Sequence, residues 1–392
     1  MKLYDSLSRS LEPVPFDHSP LSIYVCGVTP YDTTHLGHAY TYLTFDALIR
    51  YLESQGNAVR YVQNVTDIDD DILKRAGEEG VAWDELAERE TARFLDDLQA
   101  LNVRMPDVLP RATEETAQMI EITQSLIEQG LAYEREGNVY YHVASDPDFG
   151  GLSRYDYDMM LATANERGNH PDDPLKKDPL DFVLWQAAQP GEPTWPSPWG
   201  PGRPGWHIEC SAMSMHYLGP TIDIHGGGAD LLFPHHECEI AQSEHYSGQQ
   251  PFVRIWMHVG MVRMDGDKMS KSLKNMVFIR DLLTRYHADD VRAYLLSYHY
   301  RSAFEWDEKA LDHAAERAAT WRRALDHRPA GHDDRQAAAL DALFHSAIHE
   351  DLNTPAALNV LDELADGILI DQLGPHAQET LRTLGESLGF TF

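Results

Sequence analysis

Residues 21–39 read LSIYVCGVTPYDTTHLGHA, and the fold turns on them. Leu21 to Gly27 form a short apolar run rich in β-formers. The loop that follows delivers His35, Leu36, Gly37 and His38 to the start of a helix, on which Leu36, Tyr40, Leu43, Ala47 and Tyr51 recur at helical spacing. Gly56 can end that helix, and Val59, Tyr61 and Val65 mark a second strand. Strand, helix and strand in this order imply a parallel pair joined by a right-handed crossover, so the chain opens as an α/β nucleotide-binding type of fold.

Working outward, residues 72–135 read as mostly helical, and residues 146–204 carry Pro-rich and Gly-rich stretches that read as an irregular insertion. Strand signals return at TIDIHGGGAD and RIWMHVGMVRM, so the sheet is split in sequence and resumes after the insertion. From about Asp290 the chain is helical again, with Ala310, Leu311, Ala314, Ala318, Trp321 and Leu325 at helical spacing. There is no internal repeat and no low-complexity tract.

Composition narrows the class. The chain has 392 residues, 43% of them apolar, and a formal charge of -31 from 32 Lys and Arg against 63 Asp and Glu. It can bury a large core, so disorder is excluded, and the length suits two or three domains. No apolar run nears the ~20 residues that cross a bilayer, and residues 1–10 lack a signal-peptide core. The expectation is a cytoplasmic protein without a membrane partner. Cys26, Cys210 and Cys238 are too few and too scattered for a disulfide framework, which points to metal binding or reactivity. So acidic a surface repels phosphate at long range, and a polyanionic partner needs a local basic patch.

Two segments carry nucleotide chemistry. At HLGH the strand gives way to a helix, where unpaired backbone N–H groups and the dipole favour phosphate, Gly37 permits close approach, and two imidazoles add donors. The plainer reading, a helix start that contains two histidines, stays open on these four residues. Asp267 to Ser272, DKMSKS, follow Gly266 in a loop beyond a strand, and Lys268 and Lys271 can neutralise charge developing on a transferring phosphate group. In this order across a split sheet, the two segments resemble the signatures of class I aminoacyl-tRNA synthetases, usually written HIGH and KMSKS.

A third segment suggests metal. In FPHHECEIAQSE, His235 and Glu239 are four apart and share a helix face, so with Cys26 and Cys210 they could make a zinc site of two thiolates, one imidazole and one carboxylate. Buried apolar cysteines beside a solvated helix face would explain the same residues.

Over essentially its whole length the chain resembles the cysteinyl-tRNA synthetase family, through YVCGVTPYDTTHLGHA, YVQNVTDIDDDILKRA, GWHIECSAMSMHYLG, DIHGGGADLLFPHHECEIAQSE, GDKMSKSLKN and DDVRAYLLSYHYR. The resemblance implies a Rossmann-like parallel sheet of the class I synthetase type, split by an insertion and followed by an all-helical domain. Its parts fall at 1–110, 111–204, 205–285 and 286–392. It places zinc ligands on Cys26, Cys210, His235 and Glu239, and the cysteine pocket on Gly27, Thr66, Trp206 and His225. Nucleotide groups fall on His35, Gly37, His38, Gly226, Gly227, Gly228, Asp230, Lys268, Met269, Ser270, Lys271 and Ser272, with His35, His38, Lys268 and Lys271 catalytic. Cys238 stands where the family commonly has Asn. The implied reaction joins L-cysteine to ATP, with Mg²⁺ on its phosphates, as cysteinyl-adenylate in a monomeric ligase with one Zn²⁺.

The reading taken is a short-form synthetase that passes cysteine to tRNA(Cys), with an amino-sugar acceptor as the alternative. The family's own acceptor is tRNA(Cys), whereas its close relatives, the cysteine ligases of mycothiol synthesis, use the amine of glucosaminyl-inositol. Glu239, HHECEIAQSE and SYHYRSAFEW favour tRNA. PGEPTWPSPWGPGRPGWHIEC, the lack of a further anticodon-reading module, and 11 acids against 2 bases over residues 331–392 favour the sugar. A non-catalytic zinc-binding paralogue is the remaining class, and the retention of both phosphate signatures speaks against it. TDIDDD reads as helix-start charges, and Lys176 and Lys177 as solvated residues or an acceptor-stem contact.

Overall fold

The computed structural model describes every residue of the chain apart from 32–33, 270–274 and 332–333. An antiparallel hairpin of β1 (Lys2–Asp5) and β2 (Ser10–Pro13) leads into β3 (Leu21–Val28), α1 (Leu36–Ser54) and β4 (Val59–Val65). This is the expected strand, helix and strand, and β3 and β4 run parallel, with Leu21 opposite Val59 and Val25 opposite Gln63. Side chains alternate across β3. Ile23 and Val25 enter the core shared with α1, while Tyr24 and Cys26 enter the core on the other face. The register breaks between Val25 and Val28. A bulge of this kind re-aims the side chains beside it, and here it falls on Cys26 and Gly27. Only glycine fits at 27, since a Cβ there would lie 1.6 Å from the Asn64 carbonyl oxygen.

The next helix, α2 (Asp70–Glu79), is capped by Asp69, whose carboxylate accepts from the Asp71 amide, with Asp70 and Asp71 in its first turn. TDIDDD is thus a helix start whose acids meet the positive end of the dipole. After α3 (Trp83–Ala100) and α4 (Thr116–Glu128), β5 (Ala132–Arg135) and β6 (Asn138–Tyr141) form a hairpin. The stretch read from composition as irregular then supplies α5 (Tyr157–Asn165), β7 (Phe182–Ala187) and β8 (Gly202–Pro204), which extend that hairpin into an antiparallel sheet of order β5-β6-β7-β8. These strands are short, and β8 holds both a glycine and a proline, the two residues most depleted from strands.

α6 (Trp206–Leu218), β9 (Ile222–Gly228), α7 (Glu237–Ser247) and β10 (Val253–Val259) return the chain to the parallel sheet, whose order is β10-β9-β3-β4. The order reverses between β3 and β9. In open α/β sheets the crevice beyond the carboxyl ends of the strands at such a reversal is where ligands bind. β11 (Val262–Met264) and β12 (Asp267–Lys268) pair with each other, and after α8 (Ile279–Leu282) and α9 (Ala288–Leu296) β13 (Phe304–Glu305) joins the other edge of β11.

The rest is helical: α10 (Glu308–Asp326), α11 (Asp334–His349), α12 (Thr354–Leu369) and α13 (Pro375–Ser387). Leu311, Ala314, Ala318 and Trp321 are buried at the spacing visible in the sequence, and they share one core with the α1 side of the sheet. Arg292 of α9 ties these parts together. Its fully buried guanidinium pairs with Asp46 of α1 and donates to the carbonyls of Leu101, at 3.0 Å, and Leu388. Among the described residues no helix is long and apolar enough to cross a membrane.

Candidate active site

Where β3, α6 and α7 meet, several side chains of metal-ligating type converge. Cys26 comes off the bulge, Cys210 from α6, His235 and His236 from a kinked turn over Leu232–His236 in which Phe233 is extended, and Glu239 from the first turn of α7. Sγ of Cys26 lies 3.9 Å from Sγ of Cys210 and 3.6 Å from Oε1 of Glu239, and Nε2 of His235 lies 3.2 Å from that same oxygen. The four ligands expected from the sequence therefore each offer one atom within 4.8 Å of the others. Ligands held at about 2.0–2.3 Å around a tetrahedral ion sit roughly 3.3–3.8 Å apart, so the donor set fits a divalent cation. Among the described residues Oε2 of Glu239 is buried without a hydrogen-bond partner, an orphaned oxygen that a bound cation would satisfy.

Burial sets the protonation of this cluster. It pushes the Cys26 thiol and the Glu239 carboxyl well above their ordinary ranges and the imidazoles of His225, His235 and His236 well below theirs. The half-buried His207 and the buried His258 are lowered by desolvation to about 4. Neutral imidazoles are ready ligands, and a cation favours the charged thiolate and carboxylate that burial alone disfavours. Outer partners orient two of the rings. Nδ1 of His235 is 2.9 Å from Nδ1 of His207, and Nδ1 of His236 is 2.8 Å from Nε2 of His258, whose Nδ1 is in turn 2.7 Å from the Ser6 hydroxyl. With Nδ1–H donating outward, each Nε2 turns its lone pair inward.

Beside the cluster opens a cavity of about 1410 Å³. Cys26, Gly27, His35, Gly37, His38, Trp206, Gly228, Asp230 and Met269 all line it, so both ends of the expected site reach one space. Thr66, His225, Gly226 and Gly227 stand behind that lining. The Thr66 hydroxyl donates to Glu209 at 2.8 Å, and Gly226 is packed so tightly that a Cβ would lie 2.2 Å from the Phe45 ring. The Trp206 ring stacks obliquely on His235 with centroids 4.4 Å apart. At the start of α1, Nδ1 of His35 accepts from the amides of Gly37 and His38, so the histidine itself takes two of the N–H groups expected to await phosphate. As Nδ1 accepts, the proton is on Nε2, which is a donor. Ser270, Lys271 and Ser272 lie outside the described residues, as does the side chain of Lys268.

Cys238 is buried against the cavity but, among the described residues, belongs to neither group of converging metal-ligand side chains. The residues that sequence reasoning left without a role are His207, His236, His258, Asn64 and Glu209. For the three histidines the one advance signal is a count of 20 in the chain. Asn64 joins two of the expected parts, since its Oδ1 accepts from Gly27 N–H at 2.7 Å and lies 3.7 Å from Sγ of Cys210.

Asp69 also lines the cavity, and burial raises its carboxyl from 3.8 to about 6. The folded-state value exceeds the unfolded one, so this group's contribution to stability falls as pH rises from about 4 to about 6 and stays reduced above that, by roughly 3 kcal/mol at most. Asp69→Asn keeps the helix cap and removes the charge. It is expected to raise the thermal midpoint at pH 7, with the gain shrinking toward pH 4; an equal gain at both pH values would contradict this assignment.

A parallel sheet whose order reverses between β3 and β9, with HLGH opening the helix after the first of these strands, defines the class I aminoacyl-tRNA synthetase architecture. Solved structures agree. A methionyl-tRNA synthetase of Mycobacterium tuberculosis in complex with methionyl-adenylate superposes with a TM-score of 0.67 at 16% identity, covering 95% of this chain and 90% of that one. Residues 13–316 match the model of the tRNA synthetases class I (C) catalytic domain, and the chain belongs to that family. The cysteine–tRNA ligase of Legionella pneumophila (strain Philadelphia 1) is 46% identical over 100% of this chain and 85% of its own length. The L-cysteine:1D-myo-inositol 2-amino-2-deoxy-alpha-D-glucopyranoside ligase of Kribbella flavida is also 46% identical, over 93% of this chain and 90% of its own length.

Proposed function

We propose that this ligase activates L-cysteine with ATP and passes the cysteinyl group to tRNA(Cys). The observation that carries the reading is the opening of Cys26, Trp206 and the HLGH helix start onto one cavity, with Cys210, His235 and Glu239 converging on Cys26 from behind it. A cysteine carboxylate oxygen attacks the α-phosphorus of ATP, the bond from that phosphorus to the bridging oxygen breaks, and pyrophosphate leaves. His35 and His38 at the start of α1 hold phosphate oxygens, and Lys268 and Lys271 offset charge as it develops, where each fixed contact is typically worth a few kcal/mol. Gly27 and Trp206 flank the amino acid, and Asn64 and Thr66 hold the bulge and α6 in register behind it. Cys26, Cys210, His235 and Glu239 would hold one zinc ion, which would favour a thiolate ligand and give a serine hydroxyl no equivalent gain. Mg²⁺ accompanies ATP. The acting unit is a single chain in the cytoplasm, with 1–110 and 205–285 as the catalytic halves, 111–204 as the insertion and 286–392 as the helical domain.

A second reading keeps the activation step and changes the acceptor to the amine of an amino sugar. What favours it is the charge balance of the cavity, beside the Kribbella flavida relative. Arg75 pairs with Glu79, Arg167 with Asp230 and Arg203 with Asp70 and Glu192, so these bases have local acids and do not form a free basic track for a polyanion. Incubating the protein with ATP and labelled cysteine, with tRNA and glucosaminyl-inositol offered in parallel, tests the choice. Label in tRNA is expected; label in the sugar alone would overturn the acceptor while leaving cysteine activation standing.

A further inference from the structure

Cys26 and Glu239 belong to two donor sets at once. Besides the set with Cys210 and His235, the residues Cys26, His225, His236 and Glu239 also bring one ligand atom each within 4.8 Å of one another, and all four are buried. Nε2 of His236 lies 3.4 Å from Sγ of Cys26 and 3.9 Å from Oε1 of Glu239, while Nε2 of His225 lies 3.5 Å from that sulfur and 3.6 Å from Oε2 of Glu239. These separations match the roughly 3.3–3.8 Å of tetrahedral ligands as well as those of the first set do.

The orientation of the groups agrees with the spacing. His258 engages Nδ1 of His236 and leaves its Nε2 lone pair facing Cys26, as an outer partner does for a metal ligand. Oε1 of Glu239 faces His235, and Oε2, which has no hydrogen-bond partner, faces His225. Nδ1 of His225 has no hydrogen-bond partner among the described residues, so this ring lacks the outer partner that orients His236 and is placed by its Nε2 contacts to Cys26 and Glu239.

The geometry points to two alternative seats for one divalent ion, hinged on the Cys26–Glu239 edge: a thiolate-rich seat completed by Cys210 and His235, and an imidazole-rich seat completed by His225 and His236. The inference rests on the metal reading given above. Two thiolates suit zinc, while one thiolate with two imidazoles and a carboxylate suits zinc, cobalt and nickel alike. Both seats keep Cys26, the one of the six side chains that lines the cavity. Loss of a ligand private to the first seat then moves the ion instead of releasing it.

Cobalt(II) makes the two seats distinguishable without an activity assay, because near-ultraviolet thiolate-to-cobalt absorption counts sulfur ligands. The full chain, freed of other metals, is titrated with Co²⁺ as wild type, as His235→Ala and as His235→Ala/His236→Ala. His235→Ala is expected to hold one equivalent with about half the wild-type sulfur absorption, although both cysteines remain, because the second seat has one thiolate. The double variant is expected to bind roughly 100-fold more weakly or worse. Cys210→Ser guards against a folding defect at position 235, and should also hold one equivalent with tetrahedral visible bands. Full two-thiolate absorption in His235→Ala, or release of the ion by a Cys210→Ser chain of wild-type circular dichroism, overturns the second seat alone. Failure of the wild type to take up cobalt overturns the metal reading as well.

Discussion

Replacing Cys26 by alanine is expected to lower cysteine-dependent exchange of pyrophosphate into ATP by more than about 100-fold, since losing even an outer-shell partner of a metal typically costs 10–100-fold. Cys26 contributes to both donor sets and lines the cavity, so no neighbour can take its place. Its position depends on the bulge, which in turn depends on Gly27 lying against the Asn64 carbonyl. Cys238→Ala provides the contrast. That thiol is equally buried yet belongs to neither donor set, so its loss should leave the exchange in place. Chelation of the wild type should reproduce the Cys26→Ala defect, and added zinc should restore the wild type but not the variant. Undiminished exchange by a metal-free wild-type preparation would contradict the role given to these residues.

The second large effect concerns the fold. Arg292→Met is expected to destabilise the chain by about 3 kcal/mol or more, because removing one partner of a buried pair leaves the other charge poorly compensated. Asp46 is fully buried and would keep only Arg50 Nε, at 2.8 Å, and the Arg104 amide, at 2.6 Å. The carbonyls of Leu101 and Leu388 would lose a donor in the same step. Since Leu388 follows α13, the end of the chain should loosen first, and early proteolysis there would accompany the drop in urea midpoint. Arg292→Met/Asp46→Asn is expected to recover part of the loss; a double variant no better than the single one would show that the carbonyl bonds, not the ion pair, dominate.

The first βαβ unit, the HLGH helix start and the His235/Glu239 pair were legible in the sequence, because each rests on a local period: two for a strand, 3.6 for a helix, and four residues for one helix face. What was not legible arises where those periods break. The bulge at Cys26 and Gly27 is a matter of register between β3 and β4, and register belongs to two strands at once. His236 was passed over because adjacent residues on an α-helix point about 100° apart. Yet both stand at helical spacing to Glu239, four and three residues before it, and Nε2 of His235 and of His236 lie 3.2 and 3.9 Å from the same Glu239 oxygen. His207 and His258 come from α6 and β10, and nothing local to either predicts that both back the same cluster. The antiparallel sheet of the insertion was hidden because its strands are short and interrupted by residues that usually mark loops.

Cysteine activation itself is tested most directly by exchange of labelled pyrophosphate into ATP in the absence of any acceptor, with cysteine and with serine as the amino acid. The wild-type chain is expected to support exchange with cysteine and to disfavour serine by more than the roughly 10- to 200-fold that a plain hydrophobic pocket achieves for one small group. No exchange with cysteine, or equal exchange with both amino acids, would contradict it.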